Sequence, residues 1–283
     1  MSEGSKNFQQ RAAEWLCRHR RSAPCRWLGQ LSYLIWRAYE NRNFEMASNG
    51  EEWLLRQTAS VKNLQCAFDI GANVGDWSLA CHRHLPDVTI HAFEIAPPVF
   101  SELQKKVSGL SKIVLNPVGL SDRSDKIKIF YRETSNYCTT AYEEHLGAAY
   151  ALPGAESTAP KSLEVPVIRG DDYVREHDVK TIDMMKIDVE GMEERVLRGF
   201  EKMFLERRIR LVQFEYNTTN IVSKFLLRDA YEFFGKFGYK VGKLYPNYVE
   251  FREYHYRQED FCGPNMIVVH KDDAELLQLL SPR

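Results

Sequence analysis

A doubly wound α/β fold, a parallel sheet covered by helices on both faces, is what this 283-residue sequence predicts. Three observations carry that expectation. Short apolar runs recur from Gln65 onward, helical stretches lie between them, and a glycine turn followed by an acid comes directly after the first run. The strand-like runs are CAFDI (66–70), VTIHAFE (88–94), KIVLNPVGL (112–120), TIDMMKID (181–188) and IRLVQFE (209–215). Helical stretches begin near Asp76, cover Pro97 to Val107, and run from Glu193 to Glu206 after entry through Gly191. Near the end, FFGKFGYKVGKLYP and NMIVVHKDD read as a helix followed by two β runs. A polar, aromatic loop (Asn247 to Pro264) separates them. Residues 141–163, rich in Ala, Glu, Ser and Pro, read as a loop or lid after the third strand region.

Ahead of this domain, residues 1–62 read as a helical cap, with residues 63–283 as the main domain. Phe8, Ala12, Trp15, Leu16 and His19 fall at helical spacing, as do Trp27, Leu31, Leu34, Ile35 and Ala38, with Pro24 at the break. Residues 1–42 hold eight Lys or Arg against three acids. The stripes fit packing on the main domain, and they equally fit a basic amphipathic surface in peripheral contact with anionic lipid. Spacing alone leaves both open.

Composition narrows the function classes. Hydrophobic content of 44% with 27% charged residues is that of a globular protein with a sizeable core. A net charge of −1 gives no reason to expect nucleic acid as a partner. No apolar run approaches the roughly 18–20 residues of a transmembrane segment. The start, MSEGSKNFQQR, lacks the apolar stretch of a secretory signal. The six cysteines show neither a CxxC pair nor zinc-like spacing. Reduced thiols and a cytoplasmic location are the resulting expectation.

The segment FDIGANVGDWS (68–78) is the most informative. Asp69 sits near the carboxyl end of a strand, Gly71 and Gly75 permit a tight turn and close approach of a ligand, and the helix from Asp76 offers free amides. Nineteen residues after Gly75 comes Glu94, placed to accept both hydroxyls of a ribose. A dinucleotide fold wants three glycines around a pyrophosphate, whereas GANVG has two, with an anionic side chain just before them. That pattern suits a cationic ligand with an amino group and a sulfonium centre, S-adenosylmethionine, over a nicotinamide cofactor.

FDIGANVG, HAFEIAPP, NPVGLSD, IDMMKIDVEGMEERVLRGF and LVQFEYN together resemble the FkbM family of methyltransferases, over about residues 49 to 270. Asn49, Gly50 and Glu51 also match a short family pattern. The resemblance implies a Rossmann-like class I methyltransferase, with a seven-stranded, mostly parallel sheet whose last strand is antiparallel. It implies S-adenosylmethionine-dependent O-methylation of a sugar or a secondary-metabolite hydroxyl. The cofactor positions it implies are Asp69, Gly71, Asn73 and Gly75, then Glu94, with Gly119 and Leu120 near the adenine. Tyr137, Thr139 and Thr140 match a place where members carry small hydroxyl residues near the donor. One departure is visible: Asp171 matches the aspartate of a leucine–aspartate pair, but Gly170 replaces the leucine.

A second cluster has its own logic. Lys186 and Asp188 lie two apart on one strand face, Glu190 follows on the exit turn, and Glu215 with Asn217 ends the next strand. Asp188, Glu190 and Glu215, with Lys186 beside them, are the catalytic candidates, since a positioned carboxylate can take the proton of an attacking hydroxyl. Alternatively Asp188, Glu215 and Asn217 can hold Mg²⁺, which takes oxygen ligands and acidifies a bound diol. His145 and His255 are further candidate bases, His145 also a substrate-pocket candidate, while His82, His84 and His91 read as surface or packing residues. Tyr248, Phe251, Tyr254 and Tyr256 are candidates for stacking on sugar rings. A nicotinamide-dependent oxidoreductase, or a non-catalytic cofactor-binding module docking through its basic helices, are the rival readings.

Overall fold

The computed structural model describes residues 7–131, 139–146 and 160–282. Four helices come first: α1 (Phe8–His19), α2 (Ala23–Tyr39), α3 (Met46–Asn49) and α4 (Glu51–Thr58). Strands and helices then alternate through β1 (Cys66–Ile70), α5 (Asp76–His84), β2 (Thr89–Phe93), α6 (Pro97–Lys106) and β3 (Ile113–Asn116). Next come β4 (Gly119–Ser121), β5 (Asp125–Tyr131), β6 (Thr139–Thr140), β7 (Lys161–Arg169) and α7 (Gly170–Glu176). The remainder is β8 (Ile182–Ile187), α8 (Glu193–Gly199), α9 (Glu201–Leu205), β9 (Ile209–Glu215), α10 (Thr219–Ser223) and α11 (Leu227–Lys236). It finishes with β10 (Tyr239–Tyr245), β11 (Tyr248–Phe251), β12 (Asn265–His270) and α12 (Ala274–Leu280).

Eight of these strands form one sheet in the order β11-β10-β12-β9-β8-β1-β2-β3. β1 runs parallel to β2 and β8, while β12 is antiparallel to both of its neighbours, β9 and β10. Every residue of β1 and β8 is buried, as expected of strands covered on both faces. Phe68, Ile70, Met185, Ile187, Val212 and Phe214 pack against α7, α8, α9 and α11 on one side. Ala67, Met184 and Leu211, one residue out of phase, join Leu54, Leu55 and Trp77 from α4 and α5 on the other.

The structure corrects four expectations. The sheet has eight strands rather than seven, because part of the aromatic loop folds back as β11, paired to β10 across a two-residue turn. The run KIVLNPVGL is not one strand: it breaks at Pro117, which has no amide to donate, and its halves enter different sheets. The second of these sheets, β4-β7-β5-β6, was not foreseen, and part of the supposed lid (161–163) is the start of β7. The stretch from Glu193 to Glu206 divides into α8 and α9 at Gly199–Phe200, where a Cβ on Gly199 would lie 2.1 Å from the Ser121 carbonyl oxygen.

The first two helices do not bury their stripes on the main domain. Phe8, Trp15, Trp27, Leu34 and Ile35 are exposed, and Cys25 is the buried residue of the pair. What attaches α2 is its end. Lys243 of β10 forms an ion pair with Glu40 at 3.0 Å, and Asn41 Nδ2 donates to the carbonyls of Asn49 and Leu244.

Gly170 has a packing reason. A Cβ there would meet the buried Phe200 ring at 2.5–2.6 Å, so the phenyl ring fills the space that a leucine would need. Gly170→Leu should cost about 1–3 kcal/mol by overpacking, and Phe200→Ala about 3–5 kcal/mol by leaving a cavity. In denaturant unfolding, the double variant should lose clearly less than the sum of the two. Additive losses would show that the two positions do not compete for one space.

Candidate active site

Strand order reverses between β1 and β8, the place where an open α/β sheet leaves a crevice at its carboxyl edge. The chain turns sharply there. Gly71 has φ +85°, Asn73 +49° and Gly75 +89°. A Cβ on Gly71 would stand 1.9 Å from the Asp188 carbonyl oxygen, and one on Gly75 would stand 2.5 Å from Leu103 of α6. Both positions therefore exclude any side chain, which keeps the turn against β8 and α6 and leaves its backbone open to a ligand.

The resulting cleft is lined by Gly71 and Asn73, by Glu94, by Gly119 and Leu120, by Thr139 and Thr140, and by Asp188 and Glu190. Ile127, Ile129 and Val167 of the second sheet supply an apolar wall. Glu94 follows β2 and is nearly buried. Its Oε2 accepts from the Asn73 amide at 3.0 Å and its Oε1 from the Ala96 amide at 2.8 Å. Burial raises its pKa to about 7, against the pull of those amides.

Behind the cleft lies a buried polar layer. Asp69, Lys186 and Gln213 occupy neighbouring register positions on β1, β8 and β9, all on the α4/α5 side of the sheet. Lys186 Nζ donates to Asp188 Oδ2 at 2.8 Å. Desolvation disfavours the ammonium, yet Asp188, Asp69 and Glu51 together push its pKa up beyond the usual range. Ser78 of α5 donates to Asp69 at 2.6 Å. Glu51, at the start of α4, accepts from Gln213 Nε2 and from Asn49 Nδ2, each at 2.7 Å, and Gln213 also donates to Asn265 Oδ1. Gly50 allows this entry, since a Cβ there would meet the Tyr245 carbonyl oxygen at 2.3 Å.

The three acids converge. Asp188, Glu190 and Glu215 each place a carboxylate oxygen within 4.8 Å of the others. Burial, then repulsion from Asp188 and Glu190, holds the Glu215 carboxyl well above the ordinary carboxylate range. Glu190 has φ +49° and is fixed on all sides. Its carbonyl accepts from Thr140 Oγ1 at 2.8 Å, its Oε2 from Thr219 Oγ1 at 3.1 Å, and His145 Nε2 lies 3.6 Å away. Burial lowers the His145 pKa. Beneath the turn, Glu193 Oε1 accepts from the amides of Val189 and Gly191.

Several placements differ from the sequence-based expectation. Asp69 is fully buried behind the cleft wall and does not reach its surface. Lys186 is likewise buried in the polar layer, where it reaches Asp188 and does not line the cleft. Asn217 adjoins the acids through its nitrogen: Nδ2 donates to Glu215 at 2.5 Å, while Oδ1, the atom a cation would need, accepts from the Thr219 amide. Glu190 stands beside Asp188 and Glu215 in the cluster. His255 accepts from the Arg257 amide in a short turn and does not line the cleft. Tyr248 stacks on Tyr245, and Tyr254 donates to Glu259, also away from the cleft. Tyr137 lies outside the described residues, as do residues 147–159. Glu51, Gln213 and Glu193 were not singled out for this neighbourhood. The pattern Asn49–Gly50–Glu51 was the visible signal for the first.

Lys186 holds the layer together electrostatically. Lys186→Met should destabilise the fold by about 3–5 kcal/mol, because buried carboxylates lose their counter-charge. Those acids then have folded pKa values raised above their unfolded ones, so the variant should regain stability as pH falls and lose it as pH rises. Thermal melts between pH 5.5 and pH 8 check this. A deficit independent of pH would refute the electrostatic account.

Comparisons with known proteins identify the family. Residues 69–241 match the methyltransferase FkbM domain. The chain is 29% identical over 167 residues to the 31-O-demethyl-FK506 methyltransferase FkbM of Streptomyces tacrolimicus, covering 52% of this chain and 64% of that protein. It is 29% identical over 142 residues to Methyltransferase 1 of Beauveria bassiana (strain ARSEF 2860), covering 47% and 57%. The chain thus matches less than two thirds of the length of each relative. Solved structures resemble it loosely. The putative rRNA-methylase from Clostridium thermocellum has 10% identity and a TM-score of 0.43, covering 78% of this chain and 95% of that one. Precorrin-6y C5,15-methyltransferase from Geobacter metallireducens GS-15 has 15% identity and a TM-score of 0.39, covering 78% and 87%. The matched domain spans more than half of the sequence, and the chain belongs to the FkbM methyltransferase family.

Proposed function

We propose that this chain transfers the methyl group of S-adenosylmethionine to a hydroxyl oxygen, with a sugar of a glycan, glycolipid or glycosylated metabolite as the acceptor class. The observation that carries the reading is one cleft with a side-chain-free turn and a ribose-competent Glu94 at one end, and three converging carboxylates at the other. The relative from Streptomyces tacrolimicus, named for an O-demethyl substrate, supports an oxygen acceptor.

Bound S-adenosylmethionine supplies an electrophilic methyl group on a sulfonium centre. Glu94 accepts the ribose hydroxyls with the lone pairs its amide partners leave free. Gly119 and Leu120, which line the cleft, would meet the adenine, and the Gly71–Asn73 backbone would hold the amino-acid end. The negative layer behind the turn, Asp69 included, favours that cationic end and opposes a pyrophosphate, which argues against a nicotinamide cofactor. Asp188 and Glu190 face the acceptor, with Glu215 behind them, and this set takes the proton as the hydroxyl attacks. Thr139, Thr140 and His145 border the acceptor's space.

The same three acids can also take Mg²⁺ as oxygen ligands. We favour the base, because the Lys186 ammonium already sits on Asp188 and Asn217 turns its oxygen away. Turnover that persists in EDTA supports the base. Turnover lost in EDTA and restored by Mg²⁺ assigns the cluster to the metal.

Two outcomes test the reading. Calorimetric titration should show micromolar binding of S-adenosylhomocysteine and none of NAD. Because the Glu94 pKa is raised to about 7 and the ionised form accepts ribose hydroxyls, affinity should fall as pH drops from 8 to 6. Glu94→Gln should bind weakly with a flat profile. Against a panel of sugar hydroxyl acceptors, Asp188→Asn and Glu215→Gln should each lower kcat by roughly 10²–10⁴-fold while still binding S-adenosylhomocysteine. Full turnover in both variants would sink the base assignment.

A further inference from the structure

We infer that the two N-terminal helices, α1 and α2, form a docking surface for an anionic lipid bilayer. Both helices are long enough to present a continuous face, at 12 and 17 residues, and among the described residues that face is exposed. Trp27 is 60% exposed, Leu34 61% and Ile35 59%, on one side of α2, with Phe8 and Trp15 likewise exposed on one side of α1. Isolated exposed apolar residues are ordinary, whereas this many along two successive helices, Leu28, Trp36 and Tyr39 of α2 among them, are not.

Charge selects the occupant. On a helical wheel Arg11 and Arg18 border the α1 stripe on one edge, and Arg26 and Arg37 border that of α2 on the same relative edge. Residues 1–42 hold eight Lys or Arg and three acids, leaving 30 Lys or Arg against 36 acids in residues 43–283. Charge is therefore polarised along the chain, with a basic, aromatic N-terminal segment followed by an acidic remainder. Tryptophans with flanking arginines suit the headgroup layer, where the ring is half immersed and the guanidinium meets lipid phosphate. The acidity of that remainder would oppose a flat approach by any other face. No helix among the described residues is long and apolar enough to cross a membrane, so the contact is along the surface.

The attachment point gives the contact a direction. The Glu40–Lys243 ion pair and the two Asn41 hydrogen bonds fix the end of α2 to the last residues of β10. β10 runs parallel to β9, since both are antiparallel to β12, so its end lies at the carboxyl edge of the sheet, where the cleft lies. Docking thus holds that edge near the lipid.

The test uses the full chain and sedimentation with vesicles of phosphatidylcholine alone or mixed with phosphatidylserine. Binding should appear with the mixed vesicles, weaken as salt rises, and shift tryptophan fluorescence to the blue. The triple variant Arg11→Gln, Arg18→Gln, Arg26→Gln should bind roughly 10²-fold more weakly, at about 1 kcal/mol for each charge. Trp27→Glu with Leu34→Glu should abolish binding and leave the melting temperature unchanged. Equal binding to neutral and anionic vesicles would overturn the proposal, as would binding to neither. So would a dimer in sedimentation velocity that Trp27→Glu dissociates, which would give the face to a second copy of the chain.

Discussion

The ammonium of Lys186 sits where two halves of the sheet diverge, within hydrogen-bonding distance of Asp188 and in the field of Asp69 and Glu51. A cation in that position lets acids from the first strand, the fourth helix and the eighth strand approach one another inside a protein core. Without it the carboxyl edge would carry several buried negative charges with nothing to offset them. Much of the surrounding construction serves this one point. Ser78 and Gln213 supply donors to the flanking acids, and Gly71 brings the turn onto the Asp188 backbone. Gly50 lets the start of α4 come close enough for Glu51 to enter.

The cleft has a division of labour that follows from its two walls. The main sheet contributes Gly71, Asn73, Glu94, Asp188 and Glu190, with Lys186 buried behind them. The smaller sheet contributes Gly119 and Leu120, the apolar Ile127, Ile129 and Val167, and the hydroxyls of Thr139 and Thr140. Under the proposed function both walls would meet the methyl donor, Glu94 from the first and Gly119 and Leu120 from the second. Glu190 joins them, since Thr140 of the small sheet donates to its carbonyl.

Much of the main sheet was legible in the sequence, because buried parallel strands leave continuous apolar runs and paired glycines between a strand and a helix mark a tight turn. CAFDI and IRLVQFE appear as strands with the limits read for them. The second sheet was not foreseen. DKIKIFY and KSLEVPVIR alternate with period two, which is the sign of a half-exposed strand, but their charged residues masked that rhythm. At the site, the convergence of Asp188, Glu190 and Glu215 followed from strand ends alone. The burial of Asp69 and Lys186 did not, because it depends on how α4 and α5 pack over that face of the sheet, which the strand residues themselves do not show. Asn217 misled for a local reason: side-chain orientation at a strand exit is set by the turn that follows, here the Thr219 amide.

The break at Pro117 places one wall of the cleft in a segment of its own, entered at Gly119 and left at Arg169. Its strands pair with one another and contribute none to the main sheet. Substitutions at Ile127, Ile129 and Val167 would therefore reshape the cleft through strands other than those that carry the lysine and its carboxylates. Under the proposed function, cleft shape and cleft charge can then diverge separately, since separate sheets carry them.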